Sequence, residues 1–227
     1  MPAPNPVFVG RDLELDVLHQ ALLSNLPNKN VSSLIVVSGL PGIGKTQLVF
    51  QYAHAHQAEF SSIFWVFGES ARAIEMGFFS IAQKLLEHYT RVIERSGLTR
   101  AAARLEAATI LGLQELINDL PDEEIRLGIT IPKVVTRAVI EWFNRKENDR
   151  WLLILDAVDM EDVMDVFHLV PVNRHNHGHV VITRRQALNS SAIQNIHLPS
   201  LAFESSKALL LELAGTPPEE KVQGKLQ

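Results

Sequence analysis

Gly39-Leu40-Pro41-Gly42-Ile43-Gly44-Lys45-Thr46 decides how the rest of this sequence is read. The pattern is a glycine, four residues, then glycine-lysine-threonine. Glycines let the backbone turn so that successive N–H groups point inward and cradle phosphate oxygens. A lysine ammonium in that place meets the outer phosphates, and a threonine hydroxyl reaches Mg²⁺. A chance match in an ordinary turn would occur in about one chain in a hundred of this length. The flanks weigh further against chance. Leu34 to Ser38 is a short aliphatic run that stops at Gly39, as a buried strand does, and Thr46 to His56 reads as the helix that follows.

Working outward, short aliphatic runs keep alternating with longer helical stretches. Asp12 to Leu23 carries Leu15, Leu18 and Leu22 at helical spacing. Ser62 to Phe67, Trp151 to Leu155, His179 to Thr183 and Asn195 to Leu198 are further strands. Ala71 to Arg95, Leu98 to Asn118 and Glu204 to Ala214 read as helices. Another opens at Pro132, a favoured first position, with Val135, Val139 and Trp142 on one face. This alternation predicts an α/β fold: a parallel sheet covered by helices on both faces. Residues 1–11 form a proline-punctuated lead-in, 12–215 the domain, and 216–227 a linker toward a following subdomain.

Composition excludes several classes. Apolar residues are 46% and charged residues 21% of the 227, the balance of a globular protein rather than a disordered one. The net charge of −5 gives no whole-chain nucleic-acid footprint, so a nucleic-acid partner is not expected. Without cysteine, disulfides and thiolate metal sites are impossible. No run reaches the roughly 18 apolar residues of a membrane span, and residues 1–10 lack a signal-peptide pattern. The expectation is a soluble, cytoplasmic protein with no membrane partner.

Mg²⁺ held with a nucleotide calls for a carboxylate at a neighbouring strand tip. Trp151-Leu152-Leu153-Ile154-Leu155-Asp156 supplies it: aliphatics, then Asp156 at the edge where parallel sheets hold ligands. Thr46 and Asp156 are therefore the candidate metal residues. The next position is Ala157, where many ATPases place a carboxylate to orient the attacking water. Asp159 and Glu161 lie further along and could substitute. The strand His179 to Thr183 ends in Arg184 and Arg185, placed to sense a γ-phosphate through charge-assisted hydrogen bonds.

Phe8-Val9-Gly10-Arg11-Asp12, the phosphate loop, Leu152-Leu153-Ile154-Leu155-Asp156 and Ile182-Thr183-Arg184-Arg185 together resemble the NB-ARC domain over residues 7 to 215. That module belongs to the signal-transduction ATPases with numerous domains, the STAND class of P-loop NTPases. It occurs in plant resistance proteins, the apoptotic protease-activating factor and NOD-like receptors, whose fungal type this chain most resembles. The resemblance implies a three-layer fold with a five-stranded parallel sheet of order 2-3-4-1-5. It implies that Val9, Gly10 and Arg11 border the adenine and ribose. Gly39, Pro41, Gly42, Ile43, Gly44, Lys45, Thr46 and Gln47 would contact the nucleotide, and Arg185 would be the sensor arginine. It also implies ATP or ADP with Mg²⁺ as ligands, other domains of a longer parent as partners, and a role in innate-immune signalling. An isolated chain of this kind is expected to bind nucleotide and stay monomeric.

Other features point to no chemistry. His175, His177 and His179 alternate, but they read as a polar loop entering a strand. Leu209-Leu210-Leu211 reads as core packing, and Trp65, Trp142 and Trp151 read as core or second-layer anchors, with Trp65 at the edge of the nucleotide as the alternative. Three functions compete: a regulatory switch with slow turnover, an active ATPase working on a protein or nucleic-acid substrate, and a module that keeps the loop only as structure. The acidic balance and the Val9-Gly10-Arg11 lead-in favour the switch.

Overall fold

A computed structural model describes residues 5–23, 33–116, 133–158, 171, 178–189 and 193–215. In chain order these form α1 (Asp12–Leu23), β1 (Ser33–Ser38), α2 (Lys45–Ala55), β2 (Ser62–Phe67), α3 (Ala71–Glu94), α4 (Arg100–Leu111), α5 (Lys133–Phe143), β3 (Trp151–Asp156), β4 (His179–Arg184), β5 (Gln194–His197) and α6 (Phe203–Leu213). The five strands make one sheet in the order β2-β3-β4-β1-β5, and every pairing is parallel. The expected fold and strand order are both present.

The period-2 pleat sorts each aliphatic strand into two faces. Val36, Leu153, Leu155, Val180 and Ile182 join α3, α4 and α5 in one core. Ile35, Val37, Leu152, Ile154, Val181 and Ile196 join α1 and α2 in the other. All six residues of β3 are buried, as the unbroken run Trp151 to Asp156 requires of a central strand. Parallel pairing in register carries the C-terminal ends of β1, β3 and β4 to one edge of the sheet. Ser38 pairs with Arg184 there, and Asp156 pairs with Phe67.

Where helices end, local chemistry explains the departures from expectation. The helix read over Leu98 to Asn118 starts at Arg100, where Thr99 Oγ1 accepts from the Ala102 N–H at 3.4 Å. It stops at Gly112, whose φ of 72° is left-handed and whose N–H closes back onto Ala108 and Thr109. On α5, Val135, Val139 and Trp142 are buried on one face as read. Pro132, like residues 117–131, lies outside the described residues.

One reading of apolar residues is corrected. Leu209-Leu210-Leu211 does not pack in a core: α6 buries none of its side chains, and Leu210 is 67% exposed. The helix follows the edge strand β5 and meets the lead-in at its first turn, so among the described residues its leucines cover no sheet face. Trp142 and Trp151 are buried, and Trp65, on the edge strand β2, is half-buried and packs against the core that α1 and α2 share, in keeping with the reading of all three as core or second-layer anchors.

Gly178 makes room for the buried Trp151 ring, since a Cβ at 178 would overlap that indole. Gly178→Ala should therefore lower unfolding free energy by about 1–3 kcal/mol, the usual cost of overpacking a rigid core. Urea denaturation with an unchanged m-value checks it, and a midpoint equal to the parent's would show that the ring moves freely.

Candidate functional site

The site is built at the C-terminal edge of β1, β3 and β4. Between β1 and α2 the chain turns through three glycines at positive φ: Gly39 at 151°, Gly42 at 75° and Gly44 at 102°. A Cβ at Gly39 would sit 2.9 Å from the Leu198 carbonyl oxygen. At Gly42 and Gly44 a Cβ would meet nothing within 4 Å. Their requirement is the left-handed backbone, which costs an L-residue about 1–2 kcal/mol. Gly44 is the N-cap of α2, and no side chain caps that helix. The first-turn N–H groups, with the positive end of the helix dipole, therefore face the concave side of the loop.

Lys45 lies in the same concavity. Its Nζ donates to the carbonyls of Gly39 at 2.8 Å and Leu40 at 2.9 Å. Thr46 Oγ1 donates to Asp156 Oδ1 at 2.8 Å, joining the start of α2 to the end of β3. Thr183, on β4, donates to the same Oδ1 at 2.6 Å. Asp156 is only 3% exposed, and these two hydroxyls satisfy a carboxylate that would otherwise be costly to bury. A threonine hydroxyl beside a carboxylate is an all-oxygen donor pair, which fits a hard cation such as Mg²⁺.

The lead-in is tied to this loop. Arg11 is buried, and its guanidinium donates to the Ile43 carbonyl at 3.1 Å and pairs with Glu14 at 2.7 Å. Arg11 and Gly10 both hold positive φ, 71° and 70°. A Cβ at Gly10 would lie 2.8 Å from Ser205 Oγ, so Val9 and Gly10 run beside the first turn of α6. Arg185 follows β4, and its carbonyl accepts from the Gly39 N–H at 3.2 Å. Pro41 and Gly42 are exposed at the loop's rim. Thus the residues singled out from sequence at 9–11, 39–47, 156 and 185 converge on one edge. Asp159, Glu161, His175 and His177 lie outside the described residues.

Ala157 combines two features. Its φ is 60°, a left-handed conformation rare for alanine, and its N–H donates to Thr183 Oγ1 at 2.8 Å. Thr183 thus holds both Asp156 and the turn beyond it. The sequence reading had placed Thr183 only within a strand and a family pattern. A hydroxyl residue at the tip of the strand beside Asp156 was the available signal, but the pairing of β3 with β4 was needed to interpret it. Sequence reading also missed a groove of about 580 Å³ on the β2 side of the loop, lined by Thr46, Gln47, Phe50, Trp65, Lys84 and Asp156. Trp65 stands edge-on to Phe50 there, at 5.7 Å between ring centres.

Comparison with protein families matches residues 7–182 to the AAA ATPase domain. No curated protein matches the chain. Among solved structures, one similar chain is a Signal Transduction ATPase with Numerous Domains (STAND) protein with a tetratricopeptide repeat sensor from Pyrococcus horikoshii. It is 17% identical with a TM-score of 0.51, over 95% of this chain and 27% of that one. Another is Cdc6p from Pyrobaculum aerophilum, at 14% identity and TM-score 0.50, over 93% of this chain and 52% of that one. The ORC2 protein of Aeropyrum pernix in its ADP form is similar at 16% identity and TM-score 0.51, over 94% and 54%. These likenesses are of fold. The chain spans about a quarter to about half the length of those structures.

Removing the Thr183 hydroxyl at constant shape, in Thr183→Val, leaves Asp156 short of one donor and the Ala157 N–H without its acceptor. The expected loss of stability is about 1–3 kcal/mol. A urea midpoint unchanged from the parent would show that Thr183 does not support the carboxylate.

Proposed function

This chain belongs to the AAA ATPase domain family, and we propose that it is an ATP- or ADP-binding regulatory switch domain with slow hydrolysis, of the NB-ARC kind found in NOD-like receptors of the STAND class. The observation that carries the reading is the convergence of Lys45, the Thr46–Asp156 pair and the left-handed glycines of the loop. On this reading residues 12–215 are the nucleotide domain and 1–11 border the nucleotide.

Each residue then has a task. The N–H groups of the loop and of the first turn of α2 bind phosphate oxygens. Lys45 exchanges the Gly39 and Leu40 carbonyls for phosphate oxygens, which are better acceptors because they carry charge. Thr46 and Asp156 would hold Mg²⁺, whose charge would offset that of the phosphates. Arg11 fixes the lead-in against Ile43, so that Val9 and Gly10 line the base and sugar side. Arg185, beside Gly39, reads the γ-phosphate.

Slow turnover follows from Ala157. Attack on the γ-phosphate needs an oriented water, and a methyl group orients none. A slow clock suits a switch, since bound ATP must outlast the signal it reports. Partners on this reading are the other domains of a longer parent. Because a ligand shifts an equilibrium only through differential contacts with two states, this chain alone is expected to stay monomeric in ATP and in ADP.

The test is calorimetry with ATP and ADP. Lys45→Ala should lower affinity at least tenfold with circular dichroism unchanged, because charge-assisted bonds to phosphate are each worth ~1.5–3 kcal/mol. Asp156→Asn should weaken ATP in Mg²⁺ while leaving ADP in EDTA nearly unaffected. Equal affinities for Lys45→Ala and the parent would end the reading.

Turnover by the parent should fall far below the ~10 s⁻¹ typical of enzymes. Ala157→Asp should raise it, and aspartate tolerates the φ that position holds. Single-turnover assays decide, and fast hydrolysis by the parent would favour a working ATPase instead.

A further inference from the structure

Far from the sheet's ligand edge, four side chains gather at the C-terminal end of α2. His19 comes from α1. Tyr52 and His56 lie one helical turn apart, with His56 the C-cap of α2. Glu59 sits in the short 3-10 turn Gln57–Glu59 that follows. The His19 and His56 rings stack at 4.2 Å between centres with 26° between planes, and Tyr52 also stacks against His56 at 4.5 Å, with its ring centre 5.9 Å from that of His19. His19 Nδ1 is 3.2 Å from the Tyr52 hydroxyl, and His56 Nδ1 is 2.8 Å from Glu59 Oε1. One ring nitrogen of each histidine and a carboxylate oxygen of Glu59 all lie within 4.8 Å of one another.

We propose that His19, His56 and Glu59 form a binding site for a divalent transition-metal ion of the Zn²⁺ class, which ties α1 to α2. Two imidazole nitrogens and one carboxylate oxygen are a zinc donor set, and water completes the fourth position. Ligands at about 2.0–2.1 Å from a tetrahedral ion stand roughly 3.3 Å apart. The present spacing therefore needs shifts of about an ångström in side chains that have the room. His56 is 27% exposed and Glu59 44% exposed, which also gives the ion its entry path from solvent.

The surroundings resemble those that hold metal-binding histidines. Such a ligand is usually oriented by a hydrogen bond to its other nitrogen, and the Tyr52 hydroxyl is placed to do this for His19. The site is separate from the Thr46–Asp156 pair. Eleven residues at 1.5 Å each make α2 about 16 Å long, and the two sites stand at its opposite ends. The helix α1 begins directly after Arg11, which holds the Ile43 carbonyl. An ion at His19 therefore braces the helix that carries the lead-in.

The experiment titrates ZnCl₂ by calorimetry into the untagged full chain, stripped with EDTA and free of Mg²⁺ and nucleotide. The expected result is one saturable equivalent at micromolar affinity or tighter, with a raised melting temperature. His19→Ala and His56→Ala should each weaken binding at least tenfold, with circular dichroism and ADP affinity unchanged, and Asp156→Asn should keep it. If a histidine variant does not fold, Glu59→Gln, at an exposed position, serves as the second variant and should also weaken Zn²⁺ at least tenfold. The proposal is overturned if the parent shows no saturable Zn²⁺ binding, if the His19, His56 and Glu59 variants bind as the parent does, or if Asp156→Asn alone abolishes binding.

Discussion

The carboxylate of Asp156 is buried at the end of the interior strand β3, where an unpartnered charge would cost several kcal/mol. Two threonine hydroxyls prevent that cost, Thr46 from α2 and Thr183 from β4. A single oxygen atom thereby fixes three elements: the helix after the phosphate loop, the strand that ends in the carboxylate, and the neighbouring strand. Because Thr183 also accepts from the Ala157 N–H, the same contact sets the left-handed turn that follows. The geometry of the candidate site and the stability of the sheet's ligand edge are thus one problem rather than two.

Around that edge, freedom and restraint are unevenly divided. The sheet faces are closed by aliphatic packing, with α1 and α2 on one side and α3 to α5 on the other. The edges are not. At one end β2 leaves Trp65 half-buried along a groove that reaches Thr46 and Asp156. At the other, α6 follows β5 with Phe203, Leu210 and Leu213 exposed. Only its first turn meets the lead-in, through Gly10 and Ser205. Arg11 connects the lead-in to Ile43 in the loop. A change of contact at either the loop or the first turn of α6 would be felt by the other through the short segment Val9-Gly10-Arg11.

Much of this was legible in the residues. The eight-residue loop specified a strand before it and a helix after it, because only that setting gives the glycines and Lys45 their use. Short aliphatic runs marked β1, β3 and β4 to within a residue or two, since a strand buried on both faces tolerates little polar interruption. Asp156 stood out as the charged end of such a run. The reading that failed was the one in which the apolar run Leu209 to Leu211 was taken to mean burial. Leu209 to Leu211 are apolar, yet α6 follows the edge strand β5, and among the described residues no second layer covers them.

What the sequence by itself determined is therefore local and periodic: the loop's backbone needs, the elements, the parallel class and the strand tip that bears the carboxylate. These follow from steric rules and from burial patterns that repeat within a few residues. Only the tertiary structure decided which distant residues meet. Thr183 faces Asp156 because β4 pairs with β3 in one register. Arg11 reaches Ile43, 32 positions away, because α1 packs beside α2. His19 stacks on His56 for the same reason. Hydrogen bonds and ring contacts act over only a few ångströms, and no spacing along the chain encodes that proximity until the two layers close on the sheet.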